Sequence, residues 1–407
     1  ADGMSKMLVL LTAIAFPLVF IATYNNRYEN EGAFFGLMLL TQAGLLGVFL
    51  AADCLLFYFF WELALIPVYF LCSIWGGERR IAVTFKFFIY TFLGSLLMLV
   101  GILYLYNINP DKSFALASFQ KISLTAAQEK IGFWLFFIAF AIKMPIFPLH
   151  TWQPDAYEQS PTATTMILSG VMVKMGIFAV VRWLFPIFPA ATKEYALIII
   201  VLSVIGIIYA SLIAIQQNDV KKLIAYSSIA HIGLMSAALF TQQQIGLEGA
   251  AIQMFHHGIN VIGLWIVADA IEQQLSTRTL SDLGGLAQKS PLMAILLVAL
   301  AFANVALPLT NAFPGEFLMF NGLFQYNVWI AAIAGISIIL AAVYTLGMVQ
   351  KVFYGNVSPI ANKEVSYGNN VYIALSLIVA LVFVFGFYPQ PILTLTNDTV
   401  VNLIQIK

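Results

Sequence analysis

The chain has 407 residues, of which 61% are hydrophobic and only 9% charged, with a formal net charge of zero. Soluble domains carry about 25% charged residues. A mean hydropathy of +0.91 therefore excludes a water-soluble globule and leaves an all-α polytopic membrane protein with little mass outside the bilayer. The balanced charge gives no reason to expect a nucleic-acid partner. The two cysteines, Cys54 and Cys72, share one apolar run and have no metal-ligand or iron–sulfur spacing, so helix packing is their expected role.

Apolar runs long enough to span, roughly 20 residues each, fall at about 4–22, 33–53, 54–75, 82–106, 131–150, 161–185, 194–215, 223–241, 247–271, 291–324, 328–354 and 371–396. About twelve transmembrane helices are expected, an even number that puts both termini on one side. One set of alternate loops holds Arg27, Arg79, Arg80, Lys221, Lys222, Arg278, Lys289, Lys351 and Lys363. The other set, with the termini, holds Lys6, Lys112, Lys121, Lys130, Lys193 and Lys407. Loops richer in Lys and Arg stay cytoplasmic, so both termini are expected on the outer side.

Two runs are interrupted. In FWLFFIAFAIKMPIFPLHTWQPDAYEQSP (133–161), Lys143 sits inside the apolar run, followed by Pro145 and Pro148. Proline has no N–H, so a helix here would leave the carbonyls of Ala141 and Met144 without their usual partners. Unpaired backbone at membrane depth needs surrounding protein or water. The second run, AFANVALPLTNAFPGEFLMF (301–320), has Pro308 and Pro314, which would free the carbonyls of Asn304 and Thr310, and places Glu316 at the start of a new half-helix. Setting aside the first span and the C-terminal helix at 371–396, the rest divides into groups of five, about 33–185 and 194–354, each with a broken fourth helix. Five is odd, so the groups have opposite orientation, the pattern of an inverted repeat with interrupted helices at matching places.

Ionisable residues at membrane depth are costly and are usually retained for function. The first group holds Glu62, Lys143 and Lys174 near mid-span. A lone glutamate there would protonate; a nearby lysine lets both stay ionised. The competing reading is an ion pair that only fixes packing. The second group offers His231, His256, His257 and Glu316. Histidine titrates near neutral pH and can pass protons, although a single buried histidine is more often a satisfied interior residue. Two histidines on neighbouring helices could instead ligate a haem, and an acid in the first turn of a helix can serve merely as a dipole partner. Lys86 and Arg182 lie near span ends, where they are expected to snorkel. Lys221 and Lys222 read as loop charges that set topology, and Asp53 as a wet carboxylate at a boundary. His150, Trp152 and Asp155 follow the first break and could line a loop beneath a water cavity.

The segments FYFFWE, IKMPIFPLHTWQPDA, MVKMG, DVKKLIAYSSIAHIG, QMFHHG and PGEF resemble the antiporter-like, proton-pumping membrane subunits of respiratory complex I over nearly the whole chain. The resemblance implies that Glu62 pairs with Lys143 and that Lys174 and then histidines continue a polar axis. It also implies a branch: sister subunits L and N carry lysine in the second broken helix, whereas the subunit M branch, counterpart of mitochondrial chain 4, carries glutamate, here Glu316. There are two departures. Family members have about fourteen helices, and ADGMS resembles the start of their third, so two N-terminal spans are expected to be missing. The family's DAH reads Asp155-Ala156-Tyr157 here, which argues against a required histidine at that place.

No nucleotide-binding glycine motif, flavin site or cluster of metal ligands is present in the sequence, so no cofactor or metal is expected in this chain. The resemblance places NADH, FMN, iron–sulfur clusters and quinone in partner subunits of the NADH–quinone oxidoreductase, with the lipid bilayer and subunits L and N as surroundings. The expected site is Glu62, Lys143, Lys174, His231, His257 and Glu316, in the inner (cytoplasmic) membrane. Protons would load Lys174 from the cytoplasm, cross by way of His231 and His257 and internal water, and leave through Glu316, with Glu62–Lys143 as an electrostatic switch. The alternatives are a subunit of a multisubunit cation/proton antiporter or of a membrane-bound hydrogenase arm, and a haem- or quinone-binding redox protein.

Overall fold

A computed structural model of the protein describes residues 1–360 and 366–405. Lys363 and Lys407, counted among the loop charges, lie outside the described residues. The helices run α1 (Gly3–Ala22), α2 (Glu31–Leu50), α3 (Cys54–Trp75), α4 (Arg80–Ile108), the interrupted pair α5 (Ala126–Lys143) and α6 (Gln153–Gln159), and α7 (Thr162–Ile187). They continue with α8 (Pro189–Gln216), α9 (Val220–Phe240), α10 (Gln244–Leu275), the interrupted pair α11 (Pro291–Asn304) and α12 (Ala312–Tyr326), α13 (Val328–Phe353), α14 (Asn369–Phe387) and α15 (Gln390–Gln405). Among the described residues, ten helices are long and apolar enough to cross a membrane. With the two interrupted crossings they make the twelve spans expected.

Polar side chains mark where the apolar runs begin as helices. Asp2, Asp53 and Asp219 each accept from a backbone N–H three residues on, at Ser5, Leu56 and Lys222, and Thr125 with Gln128 forms a reciprocal capping box at the start of α5. The layers follow from burial. α7 and α10 are buried along their length and α9 nearly so, while α2, α4, α13 and α14 turn most of their residues outward. The buried ionisable residues of α7, α9 and α10 therefore sit at the centre of the bundle. α7 is not a regular α-helix: it widens into π turns at Leu168–Met172 and Val180–Leu184.

Both breaks differ in detail from the sequence expectation. α5 ends at Lys143 as its prolines demand, but the Ala141 carbonyl is not freed, because Ile146 N–H reaches it at 3.0 Å. The Trp152 indole caps the same end by donating to the Ile142 carbonyl at 3.0 Å. At the second break the chain turns through positive φ at Ala306 and Leu309. The Thr310 carbonyl accepts from Phe313 N–H at 3.2 Å and so is not free either. Pro314 breaks nothing: it is the third residue of α12, where a missing N–H is harmless because that donor has no partner within the helix.

The C-terminal span is shorter than 371–396. α14 stops at Phe387, Pro389 prevents its continuation, and α15 starts anew at Gln390. The Thr399 hydroxyl accepts from Gly3 N–H at 3.1 Å, which places α15 against the start of α1 and both ends of the chain on one side.

Candidate functional site

The central feature is a line of buried polar side chains running from α7 to α12. Lys174 Nζ donates to the Ser169 carbonyl at 2.7 Å and lies 2.9 Å from His257 Nδ1. The first π turn of α7 makes this possible, since a widened turn offers a carbonyl to a side chain five residues later. His257 Nε2 is 3.4 Å from the Ser228 hydroxyl, which in turn is 3.5 Å from the Ser169 hydroxyl. The His257 and His231 rings lie 5.4 Å apart, centroid to centroid. His231 Nδ1 is then 3.2 Å from Glu316 Oε1, an approach whose angle is not that of a hydrogen bond, so Glu316 Oε1 keeps no hydrogen-bond partner. Every member is at least nine-tenths buried. The four ionisable groups, Lys174, His257, His231 and Glu316, thus stand in sequence.

Glu316 is the fifth residue of α12, beyond the first turn. The helix dipole fades within that turn, so its partner is His231 rather than the helix end. A small cavity beside it is lined by Ser211, Ser337 and Tyr344 as well as the His231–Glu316 pair. The end of α11 is anchored next to it by Asn304 Nδ2, which donates to Thr345 Oγ1 at 2.8 Å.

Glu62 and Lys143 are not joined. Among the described residues no ion pair within 4.0 Å links them, and Glu62 Oε1 and Lys143 Nζ are both buried without a hydrogen-bond partner. They are nonetheless close enough to feel each other's charge, with Ser95 beside the glutamate. The Lys143 ammonium instead lies over the rings of Trp61 and Phe87, 5.7 and 6.0 Å from their centroids, where ring faces attract a cation. This is an open arrangement of the expected pair.

Four charges have partners that the sequence did not name. Lys86, partly exposed, bonds Asp155 at 3.0 Å and the Thr151 carbonyl at 2.8 Å. Arg182 pairs with Asp2 at 2.5 Å. Lys221 is no loop charge: it is buried on α9 and bonded to Glu272 at 2.5 Å. Lys222 faces Glu158 at 3.3 Å. His150 packs between Phe147 and Tyr209. Sequence reasoning missed Asp269, Glu158 and Gln153, all buried, and noted Tyr157 only as a departure from the family's DAH. Asp269 had a signal, since it stands in the apolar stretch GLWIVADAI. Glu158 and Gln153 had none beyond following the first break.

The two histidines of the line each face an ionisable partner. Among the described residues, no group of three or more His, Cys, Asp and Glu side chains is placed to hold a metal ion.

This arrangement of broken helices around a buried Lys–His–Glu line defines an antiporter-like proton-channel fold, and comparison gives it a family. The chain belongs to the NADH:quinone oxidoreductase/Mrp antiporter transmembrane family, whose model matches residues 51–342. It is 37% identical over 409 residues to NADH-quinone oxidoreductase subunit M of Rickettsia prowazekii, covering 99% of this chain and 82% of that protein. Identity to the Escherichia coli K12 protein of the same name is also 37%, over 416 residues, with the same two coverages. A chain of respiratory complex I from Thermus thermophilus superposes on all of this chain and 85% of its own length, with a TM-score of 0.94 and 29% identity. A chain of the Mrp complex of Dietzia shares the fold, with a TM-score of 0.89 at 21% identity.

Proposed function

We propose that this chain is the M-type proton-translocating membrane subunit of an NADH–quinone oxidoreductase. The observation that carries the reading is the buried succession Lys174–His257–His231–Glu316. A line of titratable groups inside an apolar bundle is costly to keep for packing alone, and each of the two histidines in its middle has two ring nitrogens, one able to accept a proton while the other donates. The relatives' printed name and the glutamate in the second broken helix support the M branch over the antiporters.

In this reading the crossings of 33–185 and 194–354 form two inverted five-helix repeats, each with a broken fourth helix. Protons enter from the cytoplasmic side, load Lys174, cross by His257 and His231, and leave through Glu316 on the outer side, where both termini lie. Lys143 is the switch. Gly176 of α7 packs on the carbonyl of Phe140 and the N–H of Met144, so the end of α5 adjoins the helix bearing Lys174. Swinging the Lys143 ammonium toward Glu62 takes positive charge away and raises the proton affinity of Lys174; the open arrangement lowers it. The chain holds no redox group of its own in this scheme. NADH, FMN, iron–sulfur clusters and quinone belong to partner subunits, and subunits L and N are its neighbours in the inner membrane.

The test is Lys174→Ala in the assembled complex, reading quinone reduction and NADH-driven acidification of sealed vesicles. Both should fall while assembly persists. Full pumping in that variant would remove the line from the mechanism, and recovery of the chain only with antiporter subunits would favour the Mrp branch.

A further inference from the structure

The line above starts at Lys174 and leaves the way in from the cytoplasmic face unassigned. A cavity of about 830 Å³ opens where the α1–α2 and α3–α4 loops meet the α6–α7 junction and the end of α10. One wall is Glu158, which accepts from Arg79 at 3.0 Å and Arg278 at 2.6 Å. At the floor lie Thr162, Lys221 and Asp269. Lys221 Nζ is taken up by Glu272 and by the Thr162 hydroxyl at 2.9 Å. Asp269 is buried, and its Oδ2 accepts from Asn26 Nδ2 at 3.0 Å.

Next to Ser169, whose carbonyl holds Lys174, comes the hydroxyl of Tyr157, and next to that Gln153; all three residues are completely buried. Neither amide atom of Gln153 has a hydrogen-bond partner, and neither does the Tyr157 hydroxyl. The hydroxyl lies within interaction range of the side chains of Gln153 and Ser169. The Tyr157 ring is held edge-on between Trp152 and Trp265, at 6.4 and 6.0 Å. Ser169 is the residue whose carbonyl holds Lys174 and whose hydroxyl neighbours Ser228. Packing alone does not account for this: a phenylalanine would fill the slot between two tryptophans, with no polar atom to satisfy. Buried polar atoms of this kind are ordinarily satisfied by internal water, so three orphaned atoms close to the residue that holds Lys174 mark a place for it.

We propose that Tyr157, supported by Gln153, is the proton-inlet relay between Asp269 at the vestibule floor and Lys174; this rests on the proton-translocation reading above. Asp269 takes a proton from the vestibule and passes it to water beside Gln153. The Tyr157 hydroxyl accepts a proton on its lone pair as it releases its own toward Ser169 and the Lys174 amine. The hydroxyl is neutral before and after, one proton reaches Lys174, and Asp269 is left ionised to take the next. The same position is histidine in the family motif that this chain otherwise resembles, another group able to accept and release a proton together.

The experiment compares Tyr157→Phe, Tyr157→His and Lys174→Ala in the intact complex in sealed membranes, reading quinone reduction, vesicle acidification and the amount assembled. Tyr157→Phe keeps the ring and loses only the hydroxyl. Coupled turnover should drop by about tenfold with assembly unchanged, and Tyr157→His should recover most of it. Full turnover in Tyr157→Phe beside a dead Lys174→Ala would overturn the inlet and leave the proposed function standing. Equal loss in Tyr157→Phe and Tyr157→His would also overturn it, making Tyr157 a packing residue. Full turnover in Lys174→Ala would instead strike the translocation reading itself.

Discussion

The two broken helices place opposite charges in opposite surroundings. At the first break the residues beside the charge are enclosed: Lys143, Met144 and Ile146 are 2%, 0% and 4% exposed, and the chain reaches the surface only further on, at Pro148 and Thr151. At the second, Leu307 and Leu309 are 43% and 58% exposed, and the break itself turns outward. Lys143 is the last residue of its half-helix, where the terminal carbonyls attract a cation. With two ring faces nearby it needs no side-chain partner to stay in place. Glu316 stands past the first turn of its half-helix, where helix-end assistance is weak, and is met by His231 instead. A break can thus hold a charge through its own backbone or deliver it to a partner elsewhere. The first arrangement leaves the charge without a side-chain partner, as the proposed switch requires, and the second sets it against a histidine, as the proposed relay requires.

This contrast is open to direct attack. The largest effect is expected at the enclosed break. Lys143→Ala and Glu62→Gln should each abolish most of the coupled quinone reduction, and the double variant should be scarcely worse, because groups acting as one unit are not additive. Activity of all four members of the cycle in vesicles measures this, and additive losses would reduce the two residues to independent packing contacts.

At the outward break, Glu316→Ala should lower coupled turnover by about tenfold, or about 1.4 kcal/mol in barrier, and Glu316→Asp should keep a good part of it. If alanine pumps normally, the His231 contact has no functional weight and the contrast collapses.

Packing offers a smaller, structural test. Both breaks lean on a glycine of a buried helix: a Cβ at Gly176 would meet the Phe140 carbonyl and Met144 N at 2.8 Å, and one at Gly249 would meet Met319 N at 2.6 Å. Gly176→Ala and Gly249→Ala should each cost about 1–3 kcal/mol as overpacking, read as a lower unfolding temperature of the extracted complex. Unchanged melting would mean the half-helices can slide.

The least effect is expected from Lys86→Met. The Lys86–Asp155 pair is more than a third exposed on its lysine side, and pairs of that kind contribute about 0.2–1 kcal/mol. Turnover should stay within about twofold of the parent. A larger loss would show that the loop after the first break depends on this tie.

Much of this was readable from residues alone. Twelve spans followed from apolar length, and the breaks from a proline near a buried charge. Lys174, His231, His257 and Glu316 stood out because each is polar in an apolar run. Their order along one line was not readable, since it depends on how α7, α9, α10 and α12 are rotated against one another. Nor was the open state of Glu62 and Lys143, because a side chain's rotamer leaves no trace in composition. Lys221 and Arg182 were misread for a common reason: a cation near a span end resembles a wet one until its carboxylate, Glu272 or Asp2, is brought from far along the chain. The join between α14 and α15 was lost because Pro389 and Pro391 lie inside one continuously apolar stretch.

The π turn at Leu168–Met172 has a consequence for the lengths that α7 tolerates. Such a turn is an α-helix carrying one supernumerary residue, looped wide so that the flanks keep their phase. Deleting one residue inside it would let the helix close to its regular pitch, with Thr162–Ile167 and Lys174–Ala179 still facing their present neighbours. The chain would fold, but the wide carbonyl at Ser169 that grips Lys174 would be gone. Deleting one residue from the regular stretch Lys174–Ala179 would instead turn everything beyond it by about 100°. Fold and proton chemistry are therefore separable in α7 by the placement of a single codon.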